Sequence, residues 1–348
     1  MHIGIGVFAH NEELRIAATL ESLSRQDLFE WAGQNNLSVQ IRVLANGCSD
    51  ATVERSREAC ARLFALEEGV DASVTLIERA GKSNAWNEYV HRFCAPEADY
   101  LIFMDGDIQF VGSETLRSMV SSLEETCLAS VAVDTILKDI VFSPQKTVLE
   151  TISIRTSEMS RAGDPKIAGS LYVLRACVAK RIWLPLGLLV EDGFLKALIL
   201  TDGLKEPENV GKIVRANGAA HTFEAESNLL ALFRHEMRLM KGTTQNIILF
   251  GYLRRKLATS GVGDVGDLIR ALNLADPHWV DAMTQAAVNA RGWRVLPLQT
   301  VLLPLRQLTR LPRGSFQRYG IVCLLRSVFN GIALIGTYFD LRRGRLCW

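Results

Sequence analysis

Residues 99–107 read Asp-Tyr-Leu-Ile-Phe-Met-Asp-Gly-Asp. Tyr100 to Met104 is an apolar run of strand length, and Asp105-Gly106-Asp107 ends it abruptly. A short apolar run bounded by turn residues suits a buried strand. Two carboxylates one residue apart at its end can hold a hard divalent cation. Mg2+ or Mn2+ prefers such oxygen ligands together with a phosphate from the substrate. Asp-Gly-Asp is also good chemistry for a surface turn, so the neighbouring segments have to decide between the two readings.

Upstream, strand-like and helix-like patterns alternate. Ile3 to Ala9 reads as a buried strand that runs into His10-Asn11-Glu12-Glu13. Asn11 is predicted as a helix N-cap, with Glu12 and Glu13 facing the positive helix end. Val39 to Ala45 alternates at period two and stops at Asn46-Gly47, a turn dipeptide. Residues 51–66 read as helix, Ser73 to Glu78 as a third strand, and a helix follows Gly81. This alternation argues for an α/β fold with a doubly wound, mostly parallel sheet and helices on both faces. Ligands on such sheets bind at the carboxyl ends of strands. The polar clusters at 11–12, 46–50 and 105–107 all fall at such ends, which favours one active site over three unrelated turns.

Downstream the pattern changes. Val131 to Val133 and Ile167 to Leu174 read as strands. Glu191-Asp192 lies between the apolar Leu188-Leu189-Val190 and a helix. Residues 228–257 read as a basic amphipathic helix pair broken near Gly242, and 261–292 as a small helical insert. The expected organisation is a catalytic domain over 1–245 and a mainly helical, Arg-rich extension over 246–348.

Several side chains carry two readings each. Gly81-Lys82-Ser83 looks like the end of a P-loop, but the earlier glycine of that motif would fall on Leu76, so the P-loop reading fails. A lysine beside a helix N-terminus can still meet a diphosphate; otherwise it sits in an exposed basic loop. Asp50 or Ser49 can cap the next helix. A carboxylate of Glu191-Asp192 can take a proton from an attacking hydroxyl, or cap its helix. Arg234, Arg238 and Lys241 share a helical face that could meet phosphate or water. His221 is either a third metal ligand or a structural histidine.

In this order and spacing the pieces resemble the inverting, family-two glycosyltransferases of the GT-A fold, over about residues 1–245. His10 to Glu13 resembles the family's opening motif. Asn46-Gly47-Cys48-Ser49-Asp50-Ala51-Thr52 is similar to its D-G-S-x-D-x-T turn, with Asn46 in place of the first Asp. Gly81-Lys82 with Ala85 and Asn87 is similar to its G-K-x-x-A-x-N segment. Asp105-Gly106-Asp107 stands at the D-x-D position and Glu191-Asp192 at the acidic pair that holds the base. The resemblance implies a nucleotide-diphosphate sugar as donor. Asp107 with Asp105 would hold Mn2+ or Mg2+, with His221 a further candidate. Asp105 could instead contact the ribose. Asp192, beside Glu191, would act as the base. Lys82 and Arg238 would meet the diphosphate, and Asn11, Glu12, Asn46 and Asp50 would line the nucleoside pocket. His235-x-x-Arg238-Leu239 replaces the Q-x-x-R-W of processive relatives, which implies a non-processive enzyme. A retaining transferase is the alternative if His221 completes the metal site; a non-catalytic nucleotide-binding scaffold is the other. A sugar-1-phosphate nucleotidyltransferase should open on a glycine-rich basic loop, and Ala9-His10-Asn11-Glu12 is not one.

Composition adds a location. The 348 residues carry 39 Lys+Arg against 38 Asp+Glu, a formal charge of +1. Residues 291–348, however, hold ten Arg, no Lys and one acid, Asp340, so this tail is +9 and the remainder −8. Within it, Tyr319 to Phe339 is a 21-residue apolar stretch whose one charge is Arg326; that length could just span a bilayer, but Arg326, Asn330, Ser327 and the glycines weaken a spanning reading. The sequence predicts an interfacial helix on an anionic membrane surface, or else an ordinary packed helix with exposed Arg. The acceptor would then be lipid-linked or membrane-proximal. No nucleic-acid-binding module is recognisable. The seven Cys have irregular spacing and no C-x-x-C, and no signal peptide is visible, so a reducing cytoplasm is expected, with attachment to the inner face of the membrane.

Overall fold

The computed structural model describes residues 1–144, 146–147, 150–151, 154–155, 157–158, 165–224, 228–260, 263–309 and 315–345. Arg310, Arg313 and Cys347 lie outside them. The N-terminal part alternates strand and helix: β1 (His2–Ala9), α1 (Ile16–Ser24), α2 (Leu28–Gln34), β2 (Ser38–Asn46), α3 (Thr52–Leu63), β3 (Val70–Ile77), α4 (Lys82–Glu88) and β4 (Tyr100–Asp105). There follow β5 (Gln109–Phe110), α5 (Thr115–Glu125), β6 (Val131–Lys138), β7 (Leu171–Arg175), α6 (Glu191–Leu200) and β8 (Ile213–Phe223). The chain then turns helical: α7 (Leu229–Ser260), α8 (Val265–Ala275), α9 (Trp279–Arg291), α10 (Gln299–Leu308) and α11 (Ser315–Arg342).

The eight strands form one sheet in the order β3-β2-β1-β4-β7-β6-β8-β5. The first four are mutually parallel, and β7 enters antiparallel between β4 and β6. The β6–β8 pair is parallel again, with a register shift between Val133 and Thr135. Registering Phe8 with both Leu44 and Asp105 aligns the ends of β1, β2 and β4. That alignment is why three polar clusters far apart in sequence come to one rim.

Alternation along the strands divides the core in two. Ile3, Ile5 and Val7 pack on one face with Ile41, Val43, Ile102 and Met104. Phe8, Leu44, Leu101 and Phe103 pack on the other, around Trp86 and Tyr89. Gly4 and Gly6 face this second side because Tyr89 lies over them: a Cβ at Gly4 would stand 2.8 Å from the Tyr89 hydroxyl, and one at Gly6 2.8 Å from Cε1 of its ring. A third cluster joins α7, α9 and α11 through Met240, Ile248, Val288, Ala333 and Leu334.

Three expectations need correction. First, Asn11 does not cap α1. The helix begins five residues later, at Ile16, and the Glu12 carbonyl accepts from Arg15 and Ile16. Asn11 adopts φ +57° and turns its side chain toward a different loop. Second, Gly242 breaks nothing. α7 runs unbroken from Leu229 to Ser260, through residue 245. The lack of a side chain at 242 serves close packing on Val190: a Cβ would lie 2.7 Å from Val190 Cβ and 3.0 Å from its amide nitrogen. Third, the strand expected over 167–174 starts only at Leu171, because Gly169 and Ser170 form a turn at the site.

Candidate active site

The rim of the sheet is built from two interlocked loops. His10 Nδ1 lies 2.6 Å from the carbonyl of Asn46, and Asn11 Oδ1 accepts from the Ser49 amide at 2.8 Å. The Glu12 amide donates to Thr52 Oγ1 (2.7 Å), the Glu13 amide to Asp50 Oδ2 (3.1 Å), and Glu13 Oε2 accepts from the Ala51 amide (2.9 Å). Burial works against the charge of Asp50, but hydrogen bonds from Thr52 and the Glu13 amide outweigh it and hold the carboxyl below its ordinary range. Asn11 and Asp50 therefore clamp the two loops together. Asn46 is buried, and its side-chain oxygen meets no protein donor.

Deeper, Lys82 joins three elements. From the first residue of α4 its ammonium reaches Asp105 Oδ1 at 2.6 Å, Glu191 Oε1 at 3.2 Å and the Gly169 carbonyl at 3.0 Å. Burial disfavours the ammonium, yet Asp105 and Glu191 outweigh it and raise the Lys82 pKa. Burial also lifts Asp105, to about 6, with Asp107 and Glu191 adding to the rise and Lys82 opposing it. The two shifts pull the pair in opposite senses. The short Lys82–Asp105 contact has the geometry of an ion pair.

The second acidic group sits where Lys82 points. Glu191 is 6% exposed, and α6 begins on it. Asp192 Oδ1 accepts from the Gly193 amide at 2.6 Å. Burial, then the charge of Glu191, raise the Asp192 pKa. Arg238, from α7, donates to the Leu189 carbonyl at 3.2 Å and lies within the field of Glu191, Asp105 and Asp192; burial lowers its pKa against their pull. On the other side, burial and then Asp107 raise Glu12, with Asp105 adding to the rise. The structure thus brings Glu12, Lys82, Asp105, Asp107, Glu191, Asp192 and Arg238 to one place.

His221 is drawn elsewhere. It is fully buried, with Nδ1 2.6 Å from Asp134 Oδ2 and Nε2 3.0 Å from Ser170 Oγ. Both ring nitrogens are engaged within the protein. Among the described residues, no three His, Cys, Asp or Glu side chains are arranged to hold a metal ion. A divalent cation that shares its shell with substrate phosphates does not need three, because one or two carboxylates then suffice. The crowded carboxylates of Asp105, Asp107 and Glu12 have the oxygen chemistry for such an ion, and their mutual repulsion would be relieved by it.

The sequence reading missed the turn that carries Gly169 and Ser170. The Gly169 carbonyl accepts from Lys82 and the Ser170 carbonyl from the Asp105 amide at 2.9 Å. A Cβ at Gly169 would stand 2.8 Å from Glu191 Oε1 and 3.0 Å from Lys82 Nζ. Nothing in the sequence around 169 marks it. Asp134, buried under His221, did leave a signal: a carboxylate following the apolar Val131-Ala132-Val133.

The rim sets the Asp105 and Asp107 carboxylates at the end of β4 beside an acidic pair that opens α6. Residues 5–171 match the family model described as Glycosyl transferase family 2. No curated protein matches the chain. Among solved structures, a mannosyltransferase from Pyrobaculum calidifontis in complex with GDP-Man and Mn2+ is 15% identical with a TM-score of 0.53, over 97% of this chain and 87% of that one. Glucosyl-3-phosphoglycerate synthase from Mycobacterium tuberculosis, in complex with Mn2+, UDP-glucose and phosphoglyceric acid, is 17% identical with a TM-score of 0.47, over 72% of this chain and 80% of that one. Residues 5–171, just under half of the chain, match glycosyltransferase family 2, and the chain has an α/β fold of the GT-A kind.

Proposed function

We propose that the protein transfers a sugar from a nucleotide-diphosphate donor to an acceptor hydroxyl, with inversion, in a metal-dependent and non-processive reaction. The observation that carries this reading is the Lys82 bridge, which ties Asp105 at the end of β4 to Glu191 at the start of α6. It links a metal-type carboxylate to Glu191, the chain neighbour of the proposed base Asp192.

Asp192 takes the proton of the acceptor hydroxyl as its oxygen attacks the anomeric carbon. The bond from that carbon to the diphosphate breaks, and the nucleoside diphosphate leaves with the electron pair. Mn2+ or Mg2+, held by Asp107 with Asp105, would neutralise charge on the diphosphate. Lys82 and Arg238 supply fixed cations to the same group. Asn46, Glu12, Asn11 and Asp50 form the nucleoside side, the last two chiefly by holding the loops. His221 supports the Ser170 turn, and its place as a metal ligand would require Ser170 to give way. A leucine at 239 in place of the tryptophan of processive relatives supports single transfers. A donor such as the GDP-mannose of the Pyrobaculum enzyme, with Mn2+, fits this site chemistry.

The catalytic unit corresponds to about residues 1–245 and the remainder to an extension. We place the protein in the cytoplasm, peripheral on the inner face of the membrane, with a lipid-linked or membrane-proximal acceptor. The support is the +9 tail.

The test is a panel of nucleotide sugars with purified protein, with and without Mn2+, reading both transfer and hydrolysis. Turnover of at least one donor that stops on chelation is expected. Inertness toward every donor sinks the transferase reading, and a product that keeps the donor's anomeric configuration sinks inversion.

A further inference from the structure

Large apolar side chains left in solvent gather on the last two helices. On α11 they are Ile321, Leu324, Leu325, Val328, Ile332, Ile335 and Phe339, each between 51% and 76% exposed. Their spacing of three and four residues places them on one face. At 1.5 Å per residue the row is about 27 Å long. Leu302 and Leu303 of α10, 49% and 48% exposed, extend it sideways. Soluble monomers rarely leave so large a contiguous apolar patch in water.

By length and composition α11 could cross a membrane, and only 39% of its apolar stretch is buried. Its opposite face argues otherwise. Asn330 donates to the Thr300 carbonyl at 3.0 Å and Thr337 to the Met237 carbonyl at 3.4 Å. Asp340 Oδ2 lies 2.7 Å from Lys241 Nζ. Gly336 admits Met237, whose sulfur would stand 3.0 Å from a Cβ there. A spanning orientation would break these contacts or carry an ion pair into hydrocarbon, at a cost of several kcal/mol. The helix is therefore bound to the protein on one side and bare on the other.

Charge selects what covers the bare side. Arg306, Arg342 and Arg343 are exposed near the row. The tail's one acid, Asp340, is committed to Lys241 and Arg345. An apolar row flanked by exposed arginines matches acyl chains beneath anionic headgroups.

We propose that the α10–α11 face lies flat in the plane of an anionic lipid bilayer, with the Ile321–Phe339 row at the headgroup boundary. This deepens the membrane-proximal reading of the acceptor and rests on it. α7 turns Arg238 toward the catalytic acids and Met237 and Lys241 toward α11. Two helix layers, α11 and α7, on the order of 20 Å together, then separate the bilayer from the acids, so a lipid-borne acceptor has to stand out from the headgroups.

The experiment is co-sedimentation of the full chain with vesicles of phosphatidylcholine, alone or mixed with phosphatidylglycerol, at low and high salt. The variant Leu325→Asp/Ile332→Asp changes two solvent-facing side chains, and its fold is checked by circular dichroism and by UDP or GDP binding with Mn2+. The wild type should sediment with the mixed vesicles, less so at high salt and little with phosphatidylcholine alone. The variant should lose at least about ten-fold in vesicle affinity, since each buried leucine or isoleucine contributes on that scale, while nucleotide binding stays. Three results overturn the proposal: wild type that ignores every vesicle, a folded variant that binds as wild type does, or a wild-type dimer that the variant splits while neither binds lipid. In the last case a second copy covers the face. Wild type that binds vesicles but no nucleotide would remove the donor reading and leave the docking surface standing.

Discussion

The Lys82 ammonium stands 2.6 Å from Asp105 and 3.2 Å from Glu191, and so fixes the distance between the two acidic halves of the site. Removing it leaves two carboxylates facing each other in a partly desolvated space. Lys82→Ala should lower transfer at least about a hundred-fold, in line with loss of a preorganised charge at a phosphoryl leaving group. Breaking a fully buried pair costs about 3–5 kcal/mol. Lys82 and Asp105 keep 29% and 28% side-chain exposure, so about 1–3 kcal/mol in urea unfolding is expected after screening. Mn2+ should recover more stability in this variant than in wild type, because the ion replaces the lost cation. Equal Mn2+ effects on both proteins would contradict that account.

Asp107 and Asp192 are the substitutions that test roles with little cost to the fold. Asp107→Ala should abolish metal-stimulated transfer, and Asp192→Asn should lower kcat by about 10²–10⁴, the range of a general base. Thermal melting should stay close to wild type for both, since each carboxylate is part-exposed. Wild-type turnover by either purified variant removes the corresponding assignment. Chelation by EDTA should mimic Asp107→Ala, and added Mn2+ or Mg2+ should reverse chelation but not the mutation.

The base assignment has a pH signature. Burial, then Glu191, raise the Asp192 pKa above the ordinary value of about 3.9. A base works deprotonated, so kcat falls as the pH drops through this raised value. The acidic limb of the pH–rate profile should therefore lie above that of an ordinary aspartate. Glu191→Gln removes one of the two main causes and should move the limb to lower pH, even where it also lowers the rate. A limb that stays in place would assign it to another group.

The sheet was legible because β1, β2 and β4 are apolar runs that end on polar clusters, and the sheet's register brings those ends together. Lys82, Asp105 and Glu191 drew notice for the same reason: each stands at an element boundary, where a charged side chain has to find a local partner. Asn11 misled because an Asn followed by two acids is also N-cap chemistry; the structure spends it on Ser49, 38 residues away. Gly242 misled because a mid-helix glycine costs propensity, and the gain that offsets it, contact with Val190, comes from a segment 52 positions earlier. Gly169 and Ser170 left no trace, since they act mainly through backbone groups, which sequence does not distinguish.

The Gly242–Val190 contact gives a further test. Gly242→Ala places a methyl 2.7 Å from Val190 Cβ, so α7 must move away from the segment that leads into Glu191 and Asp192. Overpacking of this kind costs about 1–3 kcal/mol, against a propensity gain of about 1 kcal/mol for replacing a helical glycine. A net loss of stability in urea, with kcat reduced more than donor binding, is expected, because the shift is felt first at Asp192. A more stable, fully active Gly242→Ala would show that the glycine is a mere propensity defect.

The last prediction concerns the anchor of α11. Lys241 and Asp340 are 11% and 22% exposed in their side chains, and the pair spans α7 and α11 at 2.7 Å. Asp340→Asn keeps the shape but leaves Lys241 charged in a mostly buried position, a loss of about 1–3 kcal/mol for the unsatisfied group. It also frees Arg345, whose guanidinium lies 3.8 Å from the same carboxylate. Amide exchange should then accelerate along α11 and across its packing partners Met237 and Thr300, while β1, β2 and β4 keep their protection. Nucleotide binding should persist, because the acids of the site reach α7 through Arg238 and not through Lys241. Faster exchange throughout the sheet would instead make α11 part of the cooperative core of the catalytic fold.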